Sequence, residues 1–177
     1  GKDALMIKID HPDFTAERYV FKNAAGVHVK NDTFFVKDEA QGKGLGADVF
    51  GRQVEQCREL GIASIRCHAA KDNPQDWSKP LNGFYTWPRF GYDADLEQEN
   101  FGTDDKGEEI FPKMDAKFPD AKTLLDIMAT SEGRAWWKAN GSDGYHAKFD
   151  LADGSRSMTI WTAYQEEQQI KKSEGAN

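Results

Sequence analysis

The chain has 177 residues, 38% of them apolar and 30% charged, with a formal net charge of -7. Five Trp and eleven Phe supply the buried area of a real core, so the composition excludes a disordered chain and fits one ordinary domain. The acidic balance excludes non-specific nucleic-acid binding, which rests on Lys and Arg meeting phosphates, and no apolar run approaches the ~20 residues of a membrane span.

In chain order, Ala4 to Ile9 reads as a strand, with Leu5, Ile7 and Ile9 alternating with Met6 and Lys8. His11-Pro12-Asp13 breaks it. Arg18 to Lys22 is a second strand, Ala24-Ala25-Gly26 a turn, and Val27 to Lys30 a third strand. Asn31-Asp32 carries turn chemistry, and Thr33 to Lys37 is a fourth strand. Such short connections predict antiparallel hairpins. A Gly-rich turn, Gln41 to Gly46, then leads into a helix over Ala47 to Leu60. Val49, Phe50, Val54, Cys57 and Leu60 fall on one face of it, and Gly61 stops it. Ile62 to Ala69 is a fifth strand and Lys71 to Pro80 a loop. Asn82 to Phe90 is a short helix interrupted by Pro88, and Gly91-Tyr92 leads into a sixth strand.

Residues 93–120 are acidic and turn-rich, and predict a long, partly mobile excursion. Thr123 then caps a short helix, with Asp126 completing a capping box. Ser131 caps a second helix that ends at Asn140-Gly141. Trp136 and Trp137 sit on that helix about 100° apart, one for the core and one for a neighbouring surface. Tyr145 to Leu151 is a strand. Ser157 to Tyr164 is open between strand and helix, and Gln165 to Asn177 is a polar tail. Cys57 and Cys67 lie in no C-x-x-C pair, so two buried free thiols are expected and no zinc site. Free thiols fit a reducing compartment, and with no signal peptide in view the expectation is cytoplasmic.

The chemistry is concentrated in Phe34-Phe35-Val36-Lys37, the turn Gln41-Gly42-Lys43-Gly44-Leu45-Gly46, and the helix that follows. A helix N-terminus presents unpaired N–H groups and a positive dipole end, and glycines let a phosphate approach closely. The stretch therefore reads either as an anion site for a phosphate or pyrophosphate, or as a plain connection. A Walker A reading fails because Lys43 is followed by Gly44, not Ser or Thr. Gly42, Gly44 and Ala47 meet the dinucleotide fingerprint, which also wants an acid ~20 positions on. The strand ending Arg66-Cys67-His68-Ala69 has none before Asp72, and hairpins ahead of the turn argue against a parallel βαβ start.

Gln41, Gly44 and Gly46 match in register the Gln/Arg-x-x-Gly-x-Gly/Ala pattern of the GNAT acetyltransferases. The sequence resembles that family over roughly residues 17–95, including Arg89-Phe90-Gly91-Tyr92, which resembles its later Gly-Phe pair. The resemblance implies an α+β fold with a central, mostly antiparallel mixed sheet flanked by helices. It implies an acyl-CoA-binding core over 1–95 and an extension over 96–177 packed on the same domain. It further implies two splayed parallel strands with pantetheine between them. The backbone of Phe35, Val36 and Lys37 would pair with pantetheine amides. The backbone of Gln41, Gly42, Lys43, Gly44, Leu45 and Gly46 would hold the pyrophosphate.

The implied activity is acyl transfer, from acetyl-CoA or another acyl-CoA and without a metal, to an amine on a small molecule or peptide by direct attack. The family's acid is often a Tyr four residues before the Gly of the pair, which is Trp87 here, so Tyr85 is the substitute. Glu39 is the candidate base, with Asp38 and His68 as further candidates. Only residues 11–17 stand where the family places helices between its first two strands. These departures keep a second expectation beside the enzyme, a catalytically inactive module of the same fold that binds a ligand or protein.

Overall fold

In the computed structural model, which describes residues 4–71 and 81–174, the first alternating stretch forms strand β1, Ala4–Asp10. It pairs antiparallel with β2, Phe14–Asn23, in a ladder that runs from Ala4↔Phe21 to Asp10↔Thr15 without a shift. The turn at Ala24-Ala25 then opens β3, Gly26–Val36. The expected third and fourth strands are therefore one strand. Arg18 faces Asn31 while Glu17 faces Thr33, so Asp32 is an extra residue and the turn signal marks a β-bulge. Both polar residues are satisfied without a turn. The Asn31 side chain exchanges two amide hydrogen bonds with Gln53, at 3.0 and 2.8 Å, and Lys30 Nζ donates to Asp32 Oδ1 at 2.8 Å.

Helix α1, Leu45–Glu59, connects β3 to the parallel strand β4, Ser64–Ala69. Its buried face holds Phe50, Gln53, Val54 and Cys57. Leu60, expected there, lies one residue past the helix and is 77% exposed. Gly61 takes φ +67°, a left-handed conformation that ends the helix, as expected. The hairpin expected between the third and fourth strands is absent because they are one strand; the other two are present, and β3 nevertheless opens a parallel crossover through α1. These elements belong to one compact unit, Gly1–Cys67 with Asp150–Asp153.

The second compact unit comprises His68–Phe149 and Gly154–Asn177. It contains the end of β4 and all but the last residue of strand β5, Gly144–Asp150, which follows β4 in the strand order β1-β2-β3-β4-β5. The chain is thus α+β with a mixed sheet. The helices of this unit are α2 (Gly83–Phe90), α3 (Phe111–Lys117), α4 (Leu124–Met128), α5 (Ser131–Asn140) and α6 (Arg156–Glu174). Phe84, Phe101, Ile110, Met114, Leu124, Leu125, Ile127 and Trp137 form one buried cluster.

Pro88 lies inside α2 and has no N–H to give the Phe84 carbonyl. The indole Nε1–H of Trp137 donates to that carbonyl at 2.9 Å, so one core residue repairs the break another causes. Trp136 is half-buried and packs edge-on against Phe118.

Several expectations change in this unit. The sixth strand after Gly91 is reduced to single bridges, Asp93↔Lys148 and Asp95↔Thr123. The Asp93 carboxylate turns inward instead and accepts the N–H groups of Ala94 and Leu125, each at 3.0 Å. The acidic 93–120 stretch is packed, because Phe101, Ile110 and Met114 are buried. The capping box of Thr123 and Asp126 is present. Thr130, not Ser131, caps α5, since its Oγ1 accepts the Gly133 N–H at 2.9 Å. The undecided segment after Ser157 is helical, and α6 continues through the polar tail to Glu174. Ser157 and Trp161 are its buried residues, and Lys171 pairs with Glu167 one turn away. The loop expected over Lys71 to Pro80 lies, beyond Lys71, outside the described residues. No described helix is long and apolar enough to cross a membrane.

Candidate functional site: the end of β3 and the start of α1

The parallel ladder between β3 and β4 runs from His28↔Ser64 to Asn31↔Cys67. It stops at the bulge, while β3 continues to Val36. A bulge raises local twist and interrupts pairing, so the irregularity at Asp32 accounts for the end of the ladder. Along the remaining stretch Phe35 is 41% exposed.

The chain then makes a single 3-10 turn, Asp38–Ala40, and the glycine turn follows. Gly42 and Gly44 have φ of +73° and +81°, values that side chains with a Cβ rarely adopt. Both face open space, with nothing within 4 Å of an added Cβ. Gly46 differs. It lies within α1, and an added Cβ would meet Phe34 Cε1 at an ordinary 3.7 Å.

Three side chains brace the turn. Gln41 Nε2 donates to the Val36 carbonyl at 2.9 Å and to Asp38 Oδ1 at 3.2 Å. Lys43 Nζ donates to the Glu39 carbonyl at 2.7 Å. Lys37 Nζ donates to the His11 carbonyl at 3.0 Å. The Lys37 N–H is bonded to the Asp13 carbonyl at 2.9 Å, and its carbonyl accepts the Ala40 N–H, also at 2.9 Å.

The first bond of α1 is Asp48 N–H to the Gly44 carbonyl at 3.1 Å. The N–H groups of Leu45, Gly46 and Ala47 therefore open the helix without an intrahelical acceptor. Phe35, Val36, Lys37 and the six turn residues thus come together in one stretch of the first unit. Chemically, the stretch offers backbone donors at a positive dipole end, with Asp48 as the acid of the first turn.

The catalytic candidates fall in both units. Glu39 and Asp38 are exposed in the 3-10 turn. Tyr85 is a half-buried residue of α2. Arg89 and Lys138 lie over its ring at 5.7 and 5.6 Å, and it packs against the second unit's core. Trp87, at the family's acid position, is half-buried between Phe90 and Tyr92, with ring centroids 5.8 and 5.4 Å away. His68 also belongs to the second unit. Its Nε2 lies 3.6 Å from Asp143 Oδ2, and its ring lies against Tyr145. Asp143 is a partner that sequence reasoning missed, because nothing local links residues this far apart.

One arrangement mimics a nucleophilic triad. His28 Nδ1 is 2.8 Å from Ser64 Oγ, and its Nε2 is 2.9 Å from Asn23 Oδ1. Asn23 Oδ1 is an acceptor, so Nε2 donates to it, and Nδ1 is bonded to the Ser64 hydroxyl. Ser64 is only 1% exposed, which puts its oxygen out of reach of a substrate, so the trio ties β3 to β4. Both cysteines are free and buried. Burial pushes the Cys67 thiol far up and raises Cys57 against the nearby Arg18 charge, leaving neither as a nucleophile. Among the described residues no three His, Cys, Asp or Glu side chains are grouped to hold a metal ion.

Comparison with known proteins finds no matching family model, no matching curated protein and no matching solved structure.

Proposed function

We propose that the chain is a GNAT-like acyl-CoA-dependent N-acyltransferase, with acetyl-CoA as donor and a small-molecule or peptide amine as acceptor. One observation carries this reading. β3 outruns its parallel partner at a bulge and ends in a turn of two left-handed glycines at the N-terminus of α1. An extended strand followed by fixed backbone donors suits a ligand with amides at one end and a pyrophosphate at the other. In this reading the amine attacks the thioester directly. Glu39 is the base nearest the turn in sequence, and Tyr85 is the acid.

A second reading, binding without chemistry, draws on Trp87. An indole has no proton to give a leaving thiolate, and this one is engaged in packing.

Isothermal titration with acetyl-CoA tests the shared premise. Gly46→Glu is the sharper variant, because it adds bulk and negative charge without the backbone strain of a side chain at Gly44. The parent binds, and Gly46→Glu loses at least tenfold in affinity while keeping the parent's circular dichroism. Absence of parent binding at millimolar ligand sinks the enzyme reading and leaves, of the second, only a module that binds a protein or another ligand. If binding holds, Tyr85→Phe and Glu39→Gln separate the two. The enzyme reading requires turnover of an amine that falls in these variants at unchanged affinity.

A further inference from the structure

Strand β1 is the edge of the sheet, and it carries few of the devices that protect edges. Its ladder with β2 is regular over seven rungs with no shift, and its sequence, Ala-Leu-Met-Ile-Lys-Ile-Asp, has no Pro or Gly. Bulges, prolines and free charges normally discourage edge pairing. The one lysine, Lys8, is already paired with Glu17 of β2 at 2.8 Å. Leu5, Met6 and Ile7 are exposed by 65, 48 and 39%. Leu5, Ile7 and Ile9 share one face by strand alternation. They face Val20, Arg18 and Ala16 on β2.

We propose that β1 is a self-association edge at which two copies of the chain pair antiparallel about a two-fold axis through Ile7. The strand's own pattern selects both the partner and the register. A continuous apolar face requires an even-numbered register, because a one-residue slip turns every side chain to the other face. Centring on Ile7 uses all seven residues. It sets Ile7 opposite Ile7, Leu5 opposite Ile9, Met6 opposite Lys8 and Ala4 opposite Asp10. No like charges stand directly opposite. Centring on Lys8 opposes two lysines, and centring on Met6 sets Ile9 and Asp10 opposite positions before Ala4, outside the described strand. The strand is neutral, one lysine against one aspartate, although the chain carries -7. The contact is isologous, so it closes at two copies and leaves no open edge at the seam. Across it the exposed isoleucine and leucine cover one another, as cross-strand pairs do.

Sedimentation equilibrium over a concentration series tests the proposal, with cysteine crosslinking to read the register. The parent forms a dimer that stops at two copies. Added salt strengthens it by screening the repulsion of two acidic chains. Ile7→Lys is monomeric at every concentration, with an unchanged thermal melt. Under oxidation Ile7→Cys crosslinks to itself. Leu5→Cys alone does not, whereas Leu5→Cys combined with Ile9→Cys does. The buried native thiols leave the parent uncrosslinked. A parent that stays monomeric, assembly that runs on past two copies, a dimer that survives Ile7→Lys, or crosslinking from Leu5→Cys alone overturns the proposal.

Discussion

The two units build their interiors from different materials. In the first, polar side chains are buried in pairs at the centre. Asn31 bonds Gln53 twice, and His28 bonds Ser64. In the second, the interior is aromatic and aliphatic, and Trp137 Nε1 is stitched to a single carbonyl. The difference follows from what each unit must specify. A parallel ladder only four rungs long fixes its register weakly by apolar contacts alone. Complementary amides and a histidine–serine bond favour one register, since a slip leaves buried polar groups unpaired. The helices α2 to α5 are five to ten residues long. That is too short to persist alone, so they depend on large apolar area.

The largest effect should come from breaking the second kind of core. Trp137 is fully buried, and Trp137→Ala should cost about 3–5 kcal/mol in a denaturant titration. Trp137→Phe separates burial from hydrogen bonding. It keeps most of the ring but strands the Phe84 carbonyl, a loss of about 1–3 kcal/mol. Pro88→Ala supplies the missing N–H one turn away. The Trp137→Phe cost should therefore be smaller in the Pro88→Ala background, as a double-mutant cycle would read. Equal costs in the two backgrounds would show that the carbonyl does not depend on the indole.

The matching experiment in the first unit is Gln53→Leu. It removes both amide bonds that Asn31 exchanges with Gln53, at about 1–3 kcal/mol. Adding Asn31→Val removes the other half of the amide pair. The double variant should then be more stable than Gln53→Leu alone, though its strand register is less tightly specified. If the second substitution only adds its own cost, the amide pair does not act as one unit of stability.

The same contrast explains what the sequence made legible. Local signals were readable: the alternation in β1, the Phe50-Val54-Cys57 face of α1, Gly61 as a stop, and the Thr123 capping box. The glycine turn was readable as a turn, and Gly42 and Gly44 take the left-handed conformation such turns need. What failed was polarity inside the core. Asn31-Asp32 looked like a turn because its chemistry is that of turns, while the partner that buries Asn31 sits on α1. Gln53, three residues after Phe50 on an apolar face, was the available signal. The 93–120 stretch failed for the converse reason. Its acids dominated the reading, whereas Phe101, Ile110 and Met114 decide its packing. Thr130 was passed over for its neighbour Ser131 because both are cap residues and only backbone geometry chooses. Asp143 beside His68 had no local signal at all.

The smallest expected effect is electrostatic and concerns the start of α4. Partial burial of Asp126 opposes its charge. The N–H groups of Lys122 and Thr123 and the Arg156 guanidinium outweigh that penalty and hold its carboxyl below the ordinary value of 3.8. A carboxyl lowered in the folded state contributes stability that is fully present above its unfolded value. That contribution is lost as pH falls through the lowered folded value. Asp93, on the same turn through its bond to Leu125, has the opposite sign. Burial raises it above 3.8 despite the N–H groups it accepts, so its contribution declines as pH rises through the raised value. Asp126→Asn should therefore flatten the acid-side loss of stability. Near neutral pH it should cost about 0.3–1 kcal/mol, the worth of an acid at a helix start. Asp93→Asn should leave the Asp126 limb in place, and urea midpoints measured in steps from neutral pH down to acid separate the two. Parallel curves for the parent and Asp126→Asn would mean that the capping carboxylate titrates alike in the folded and unfolded chain.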